Sequence, residues 1–479
     1  MAPDAADFKL DVRKVDGFKP YSGGEELRRA IAALAGPSIA QEREDGGSAA
    51  VSTGASGSTP QAQLIPISVK SADHSTRELA FAAQRYAKAT QRDSSDFEAI
   101  YNHGLALQEL ASRVTSSRDE QMRLLAQACE RYEAAWRLRR SSHSALYNWG
   151  VALSDMSRAV KAADRSRAHD LLLAAADKYA MSLRWNPNNP QALNNWGLVL
   201  QELSSMRAEA ERGRLVAQSV AKFRAAIRLR PEFDRACYNL GTVYYSHAFA
   251  LQTAAQAAMS SQLTKDPERE AAERLEEAAV ARTFRLAAQY IALSFALQSG
   301  REVYARSLKV VRPLLPGGHL RAGFLTAVDP STDRSCSERW ERCYFVVDHD
   351  GFRTAAVPED EEAASESHPS SPPFHQRQVE ILRHTRSVES TCSAALKGDF
   401  REAWIDLAEV ADAKPCLDPS LPEGHAFWVA LHNQPQGHFF LSDNGEDAEG
   451  WVDALLMSAH IAGGQRLAAL AYALTADFT

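Results

Sequence analysis

Tyrosine and asparagine side chains recur at a fixed place in a short phrase that the sequence repeats four times. Each phrase ends in a glycine, at Gly104, Gly150, Gly197 and Gly241, so that neighbouring copies lie 46, 47 and 44 residues apart. The polar members are Tyr101, Asn102, Tyr147, Asn148, Asn194, Asn195, Tyr238 and Asn239. Phenol and carboxamide groups donate and accept hydrogen bonds, which suits binding rather than catalysis. Such repetition indicates a repeat protein.

Carboxylates recur five residues after the glycine in the first three copies, at Glu109, Asp155 and Glu202. By helical offset these three side chains share a face. Two interpretations are open. The carboxylates form either a solvated acidic face or the acidic wall of a groove that binds a basic or polar partner segment.

The sequence predicts no catalytic, cofactor or metal site. It contains no glycine-rich nucleotide motif, no P-loop, no His-Glu-x-x-His and no Gly-x-Ser-x-Gly. The six cysteines are Cys129, Cys237, Cys336, Cys343, Cys392 and Cys416. No two of them have a zinc-binding spacing, so we expect free thiols in a reducing cytosol. The net charge of −7 argues against nucleic acid as a partner.

The N-terminal residues and the hydropathy of the chain indicate where the protein is expected to be. The first residues lack a basic segment and an apolar core, so no secretory signal is expected. No run of 18 apolar residues occurs, and none of the chain is expected to span a bilayer.

The repeated phrase needs paired helices to position it. An aromatic residue precedes each glycine by the same 18 residues, at Tyr86, Tyr132, Tyr179 and Phe223. Alanines flank these aromatics at helical offsets of three or four. A glycine inside a helix costs about 1 kcal/mol relative to alanine, so four of them need a reason. We predict that glycines on helix A meet alanines on helix B, and that the aromatic fills the neighbouring groove. Pro187 and Pro231 should end helix B.

These phrases resemble the tetratricopeptide repeat family over roughly residues 78 to 245. The family repeat is about 34 residues, and the surplus here lies between each glycine and the next aromatic, where longer helices or a polar loop would both fit. The resemblance implies that the asparagines face a groove and bind a peptide carboxylate. Alternatively, they hydrogen-bond the backbone between neighbouring repeats. Tyr101, Tyr147 and Tyr238 occupy positions where the family's chaperone clamp has basic residues, which disfavours a chaperone cofactor.

The pattern divides the chain into segments. Residues 1–65 are expected to be disordered, apart from one short helix near residues 25–34. Residues 66–95 supply a lone helix B, so that an α-solenoid of tetratricopeptide-like helix pairs should span residues 66–314. Its last two helices are predicted at Phe284–Leu297 and Glu302–Val311.

Beyond residue 318 the apolar period changes from helical to alternating. Strands are predicted at 324–328, 343–347, 352–357, 403–410, 425–431 and 437–441, with an acidic insertion near 358–373 and a helix over 448–461. The order of strands, the runs Gly323–Leu325 and Trp340–Val346, and Trp451 in the final helix resemble a pleckstrin-homology domain. The resemblance implies a β-barrel or sandwich over residues 318–465 with a C-terminal helix, followed by a tail over 466–479.

Lipid recognition by the usual pleckstrin pocket is not favoured. The matching positions on the first two strands hold Thr326, Glu341 and Cys343, and only Arg339 and Arg342 lie nearby. Charge-assisted contacts dominate phosphate binding, so the pocket lacks its main source of affinity.

The two domains together resemble plant tetratricopeptide proteins of the hypersensitive-to-latrunculin-B type. The resemblance implies a non-enzymatic scaffold that binds protein partners through the solenoid and acts as an adaptor in trafficking linked to actin. It implies a cytoplasmic protein with peripheral association at trans-Golgi and early endosome membranes. The alternatives are a peripheral membrane protein that reads phosphoinositides and a chaperone cofactor.

Overall fold

A computed structural model describes residues 74–113, 117–260, 267–328, 340–358, 405–418, 421 and 424–475. The chain divides into two units, the first ending at Leu229 and the second beginning at Arg230. Three expectations lie outside the described residues: the disordered segment 1–65 with its helix, the body of the acidic insertion, and the position of Arg339.

The first unit consists of consecutive helices, each of which packs on the next. They are α1 (His74–Arg92), α2 (Phe97–Arg113), α3 (Arg118–Leu138), α4 (His143–Val160), α5 (Arg165–Trp185), α6 (Pro190–Ser204) and α7 (Glu209–Leu229). The lone helix predicted before the first pair is α1. The A helices are α2, α4 and α6, and the B helices are α3, α5 and α7.

Local sequence sets where these helices begin and end. Ser117, Ser142, Asp164 and Asn189 each accept a hydrogen bond from the backbone N–H three residues on, which caps α3, α4, α5 and α6. Helix α5 ends two residues before Pro187, and α7 ends two residues before Pro231, as predicted. The ends of the hairpins are therefore fixed by capping side chains and prolines.

The surplus residues of the long repeat lie in the helices. The B helices α3, α5 and α7 have 21 residues each, and the tip between α4 and α5 is only residues 161–164. Of the two ways to accommodate the longer period, the protein uses lengthened helices.

Each repeat glycine of the first unit lies beneath the aromatic ring of its own hairpin. A Cβ added at Gly104 or Gly150 would lie 2.8 Å from a ring carbon of Tyr132 or Tyr179, and one at Gly197 would lie 2.8 Å from Phe223. These rings are fully buried. The prediction that alanines cover the glycines was wrong, because the aromatic ring itself fills the contact point.

The second unit begins with three helices and a short turn. They are α8 (Asp234–Ser260), α9 (Pro267–Leu297), α10 (Glu302–Val311) and a 3-10 turn at Arg312–Leu314. Gly241 on α8 approaches α9, where a Cβ would lie 2.7 Å from the Ile291 side chain. Helix α9 begins at Pro267, well before Phe284, where the sequence predicted its start.

The second unit continues with one antiparallel sheet and two helices. Its elements are β1 (Arg321–Val328), β2 (Trp340–Val347), β3 (Phe352–Thr354), β4 (Val410–Pro415), β5 (His425–Leu431), β6 (Gln434–Ser442), α11 (Gly445–Gly463) and α12 (Leu467–Thr475). The strand order is β3-β2-β1-β6-β5-β4. Phe345, Phe352, Phe427 and Phe440 are buried in its core with Trp451 of α11.

Two predictions about the sheet need correction. The described strands form an open sheet with β3 and β4 at its edges, and they do not close into a barrel. Of the strand predicted at residues 403–410, residues 403 and 404 lie outside the described residues and Ile405 forms an isolated antiparallel bridge with Phe352. Leu407–Glu409 forms a 3-10 turn, where Asp406 accepts a hydrogen bond from the backbone N–H of Ala408. Strand β4 starts only at Val410, where that turn ends.

Buried polar contacts join α9 to the rest of the second unit. The Tyr290 hydroxyl donates to Asp453 of α11 at 2.6 Å, and Gln289 donates to the Gly450 carbonyl at 3.0 Å. Helix α12 packs on α9, and Arg466 Nη1 donates to the Leu297 carbonyl at 3.0 Å. Helices α8, α9 and α10 thus belong to the same unit as the sheet, and Leu467–Thr475 within residues 466–479 form a helix.

We expect Gly150→Ala to lower the free energy of unfolding by about 1–3 kcal/mol, because its methyl group would overlap the buried Tyr179 ring. The control is Gly213→Ala at an exposed position of α7, where an added Cβ meets nothing within 4 Å. That change should raise stability by up to about 1 kcal/mol through helix propensity. Urea unfolding of both variants measures the contrast. Equal stabilisation by the two alanines would contradict the close contact.

Candidate partner-binding face

The A helices of the first unit lie side by side. Helix α2 contacts α4, and α4 contacts α6, in addition to the contacts that each makes within its hairpin. The predicted polar residues Tyr101, Asn102, Tyr147, Asn148 and Asn195 are half-buried on these helices. We call the surface that these helices share the A-helix face.

Two tyrosines and two asparagines connect successive A helices. Asn148 Nδ2 donates to the Tyr101 hydroxyl oxygen at 2.7 Å, and Asn195 Nδ2 donates to the Tyr147 hydroxyl oxygen at 3.2 Å. We call these four side chains the Tyr-Asn ladder. The asparagines bond between neighbouring repeats, as one interpretation held, but they reach a phenol oxygen instead of the backbone.

The ladder tyrosines rest on the rings that cover the glycines. The Tyr101 ring centroid lies 6.1 Å from that of Tyr132, and the Tyr147 centroid lies 6.0 Å from that of Tyr179. Burial raises the pKa of Tyr101 and of Tyr147. Both phenols therefore stay protonated at neutral pH and keep a hydrogen to donate. The Asn148 amide likewise has a second hydrogen and a carbonyl oxygen, which a bound backbone can use.

The ladder does not extend through all four copies of the phrase. Asn194 stands where the tyrosine should be in the third copy, is buried, and donates to Asn195 Oδ1 at 3.2 Å. Tyr238 is in the second unit, where its hydroxyl is 2.9 Å from Ser307 Oγ and its ring packs on Tyr304. Asn239 is half-buried beside Tyr238 on α8.

Each recurring carboxylate has a basic partner. Glu109 pairs with Arg113 at 3.1 Å, Asp155 pairs with Arg158, and Glu202 pairs with Lys161 of the preceding hairpin. Exposed pairs of this kind contribute little stability, but they neutralise the face locally. The carboxylates form a solvated, paired row, and their binding of a basic partner stays a prediction.

An apolar row on the same helices escaped the sequence analysis. Leu105, Val151 and Leu198 each follow the repeat glycine directly and lie one helical turn after the tyrosine or asparagine position. Leu105 and Leu198 are each 36% exposed, and Val151 is half-buried. The signal was present in the sequence, since all three copies hold an aliphatic residue at this offset.

Tryptophans in the phrase pack against lysines from the B helices. Lys178 Nζ lies 4.5 Å from the centre of the Trp149 ring, and Lys222 Nζ lies 4.0 Å from that of Trp196. Lys222 is buried, which lowers its pKa to about 8. These cation–π contacts belong to the hairpin interior and do not contribute groups to the A-helix face.

The predicted lipid-contacting arginine of the sheet is engaged within the protein. Arg342 donates from both terminal nitrogens to the Asp443 carboxylate, at 2.7 and 2.8 Å, and stacks over Phe324. Thr326 and Cys343 lie on β1 and β2 as expected. Arg342 is thus a bidentate ion-pair partner in this structure.

Within the described parts of the chain, one group of side chains has metal-like spacing, namely Asp348, His349 and Asp350. Asp348 is held by Arg353 at 2.7 Å and by His319 at 2.9 Å. Burial acts to raise the pKa of Asp348, but these contacts and a backbone hydrogen bond lower it below its usual value. The Asp348 carboxylate therefore stabilises its own turn, since it also accepts hydrogen bonds from the backbone N–H groups of Asp350 and Gly351.

None of the described helices combines the length and the apolar character that crossing a bilayer requires.

Comparison with known proteins gives partial matches. The family model described as "Plant specific mitochondrial import receptor subunit TOM20" matches residues 174–274. No curated protein matches the chain. Two solved structures of MamA align at 19% and 16% identity over 38% and 40% of this chain and 86% and 91% of their own, with TM-scores of 0.27 and 0.28. YrrB, titled "a TPR protein with an unusual peptide-binding site", aligns at 15% identity over 47% of this chain and 99% of its own, with a TM-score of 0.19.

The class of protein follows from the geometry of the chain itself. Consecutive helical hairpins, each with a glycine beneath an aromatic ring, define a tetratricopeptide-like helical repeat protein. An antiparallel sheet with two further helices follows the repeats.

We expect Tyr101→Phe and Asn148→Ala to be coupled in unfolding free energy by about 0.5–1.5 kcal/mol, since each removes one partner of the same hydrogen bond. The control cycle combines Tyr101→Phe with Asn195→Ala, whose ladder bond is to Tyr147. That cycle should be additive within about 0.5 kcal/mol. Urea unfolding of the wild type, the three single variants and the two double variants gives both couplings. Equal coupling in the two cycles would show that the ladder bond contributes nothing specific.

Proposed function

We propose that this protein is a non-enzymatic scaffold whose A-helix face binds a peptide segment of a protein partner. The observation that carries the proposal is the placement of the apolar row beside the Tyr-Asn ladder on adjacent helices. Aliphatic side chains provide affinity by burial, while the ladder provides donors and acceptors for a peptide backbone.

The partner segment follows from this chemistry. It presents aliphatic or aromatic side chains to Leu105, Val151 and Leu198, and it uses its backbone groups toward the ladder. Because Glu109, Asp155 and Glu202 are already paired with basic side chains, we do not expect the face to select strongly for a basic peptide. An acidic wall would instead give binding that weakens steeply with salt, because exposed charges are screened over about 8 Å at physiological ionic strength.

We further propose that the sheet of the second unit is pleckstrin-like and contributes to partner binding more than to lipid binding. Antiparallel strands followed by a helix with a buried tryptophan support the first part. The ion pair of Arg342 with Asp443 supports the second, since its guanidinium is already bound to a carboxylate.

In the cell, the scaffold is proposed to be a cytoplasmic adaptor in trafficking at trans-Golgi and early endosome membranes, linked to actin. The resemblance drawn from the repeat phrases and the second domain supports it. A second candidate is a receptor for peptides imported into an organelle. The match of residues 174–274 to the import receptor family model favours that candidate.

Peptides selected by phage display against the full chain should bind the A-helix face. We expect Leu105→Glu with Leu198→Glu to weaken a selected peptide about tenfold or more, since buried contacts of about 1.4 kcal/mol would be lost. The control is Leu138→Glu with Leu229→Glu, which changes exposed leucines at the ends of B helices. The control should leave the affinity within about twofold.

Titration of the selected peptide into the full chain at low and high salt distinguishes binding by the apolar row from binding by the acidic wall. Affinity that is nearly insensitive to salt supports the apolar row, whereas a steep loss favours the acidic wall. Equal weakening by the two leucine pairs would refute a site on the A-helix face.

Imaging of the fluorescently tagged full chain decides between the two cellular roles. We expect colocalisation with trans-Golgi and early endosome markers, and loss of that pattern in the Leu105→Glu and Leu198→Glu variant if partner binding recruits the protein. The Leu138→Glu and Leu229→Glu variant should keep the wild-type pattern. Rings around mitochondria would reject the trafficking adaptor and support the import receptor.

A further inference from the structure

One side of helix α1 carries a row of exposed basic residues. Arg77, Arg85, Lys88 and Arg92 are all exposed, and Phe81 lies among them. Successive members of this set are four, four, three and four residues apart, so the five side chains share one face of the helix. We call this surface the α1 basic face, and it extends for roughly 22 Å along the helix axis.

The packing of α1 fixes the direction in which this face points. Ala80 and Ala83, on the opposite side of the helix, are buried, and α2 is the main described neighbour of α1. The basic face therefore points away from α2 and forms a convex surface rather than a groove. A convex surface suits a broad, flat partner better than a peptide, which gains affinity from the walls of a groove or from a sheet edge.

The four cations of the face have no carboxylate partner among the described residues. Arg113 on α2, by contrast, pairs with the glutamate four residues before it. Of the described carboxylates, the nearest in sequence are Glu78, which is 3.4 Å from His74 Nδ1, and Asp93, which accepts hydrogen bonds from Ser95. Four cations beside two carboxylates leave this face positively charged, although the whole chain has a net charge of −7.

Phe81 adds an exposed aromatic ring to the charged row. The residue is 62% exposed, and the guanidinium carbon of Arg85 lies 6.0 Å from the centre of its ring. Water is a poor solvent for such a ring, whereas the interface of a bilayer accepts aromatic rings together with the charged ends of long basic side chains. Phenylalanine among arginines and lysine is therefore a composition that suits contact with lipid headgroups.

We propose that the α1 basic face docks on the surface of an anionic phospholipid bilayer. The four cations contact the negatively charged headgroups, and Phe81 inserts between them. Charge complementarity and the convex surface favour this partner over an acidic peptide. The inference goes beyond the proposed peptide binding, because no residue of the Tyr-Asn ladder or the apolar row takes part in it.

The test is flotation of the full chain with phosphatidylcholine vesicles, with and without phosphatidylserine. We expect binding that requires phosphatidylserine and weakens as salt is raised, because exposed charges are screened. Arg77→Gln with Lys88→Gln should lower the partition coefficient about tenfold or more, since each basic residue near an anionic surface contributes to binding. The matched control is Arg123→Gln with Arg214→Gln, which removes two exposed arginines of α3 and α7 and changes the net charge equally. It should change the partition coefficient by less than about twofold.

A second pair of variants tests the aromatic ring without altering charge. Phe81→Ala should weaken binding to the phosphatidylserine vesicles about threefold or more, because less apolar surface enters the interface. The control is Phe249→Ala, since Phe249 on α8 is 61% exposed and lies outside the α1 basic face. It should leave binding unchanged, and circular dichroism should show the same helix content in every variant. Equal binding by the two alanine variants would contradict the insertion of Phe81.

Three results overturn the assignment to a bilayer. The first is the absence of phosphatidylserine-dependent flotation of the wild type. The second is an equal partition coefficient for the two arginine and lysine double variants, which would place any lipid contact elsewhere in the chain. The third comes from calorimetric titration with a polyglutamate peptide: binding that is lost in the Arg77→Gln and Lys88→Gln variant, without flotation of the wild type, would assign the face to an acidic protein segment.

Discussion

The contact of a glycine with a buried aromatic ring is the constraint on which the first unit depends. At Gly104, Gly150 and Gly197 a single added carbon would lie 2.8 Å from the ring, so the ring sets how closely the two helices of a hairpin approach. Interiors are packed too densely to move such a ring at low cost. The Tyr132 ring also packs against the Tyr101 ring of the A helix. This contact positions the Tyr101 hydroxyl oxygen to accept a hydrogen bond from Asn148 of the next hairpin.

This arrangement separates the polar groups of the repeat phrase into two kinds. The hydrogen bonds of the ladder fix neighbouring hairpins to one another, so one amide hydrogen of Asn148 and of Asn195 is already used. The carboxylates further along are paired with basic side chains. On this face, we expect a partner to contact the apolar row and the ladder's phenol hydrogens and second amide hydrogens. Burial of these aliphatic groups supplies affinity, and the ladder supplies register.

The second unit is organised around α9. This helix contacts α8, α10, α11 and α12, and it contributes Gln289 and Tyr290 to buried hydrogen bonds with α11. Residues of α9, including Arg282 and Arg285, line a cleft together with residues of β1 and of the start of α11. Polar groups buried at such a junction must be satisfied there, which explains why Arg321 bonds both Gln289 and Asp447.

The amino-acid sequence by itself determined the helical hairpins, their period and most strand positions. The helix signals are local in sequence: equal spacings, capping residues such as Asp164 and Asn189, and the prolines after α5 and α7. Local signals of this kind can be recognised without knowledge of the tertiary structure. The continuous apolar run after His425 likewise predicted β5 with the bounds His425–Leu431.

Only the tertiary structure decided which groups meet. The covering of Gly150 by Tyr179 and the bond from Asn148 to Tyr101 join residues 29 and 47 positions apart, and no local pattern encodes such a distance. The buried hydrogen bonds from Gln289 and Tyr290 of α9 to α11 likewise join residues 161 and 163 positions apart. The sequence repeats a residue type at a position, but the partner of that residue is set by packing in three dimensions.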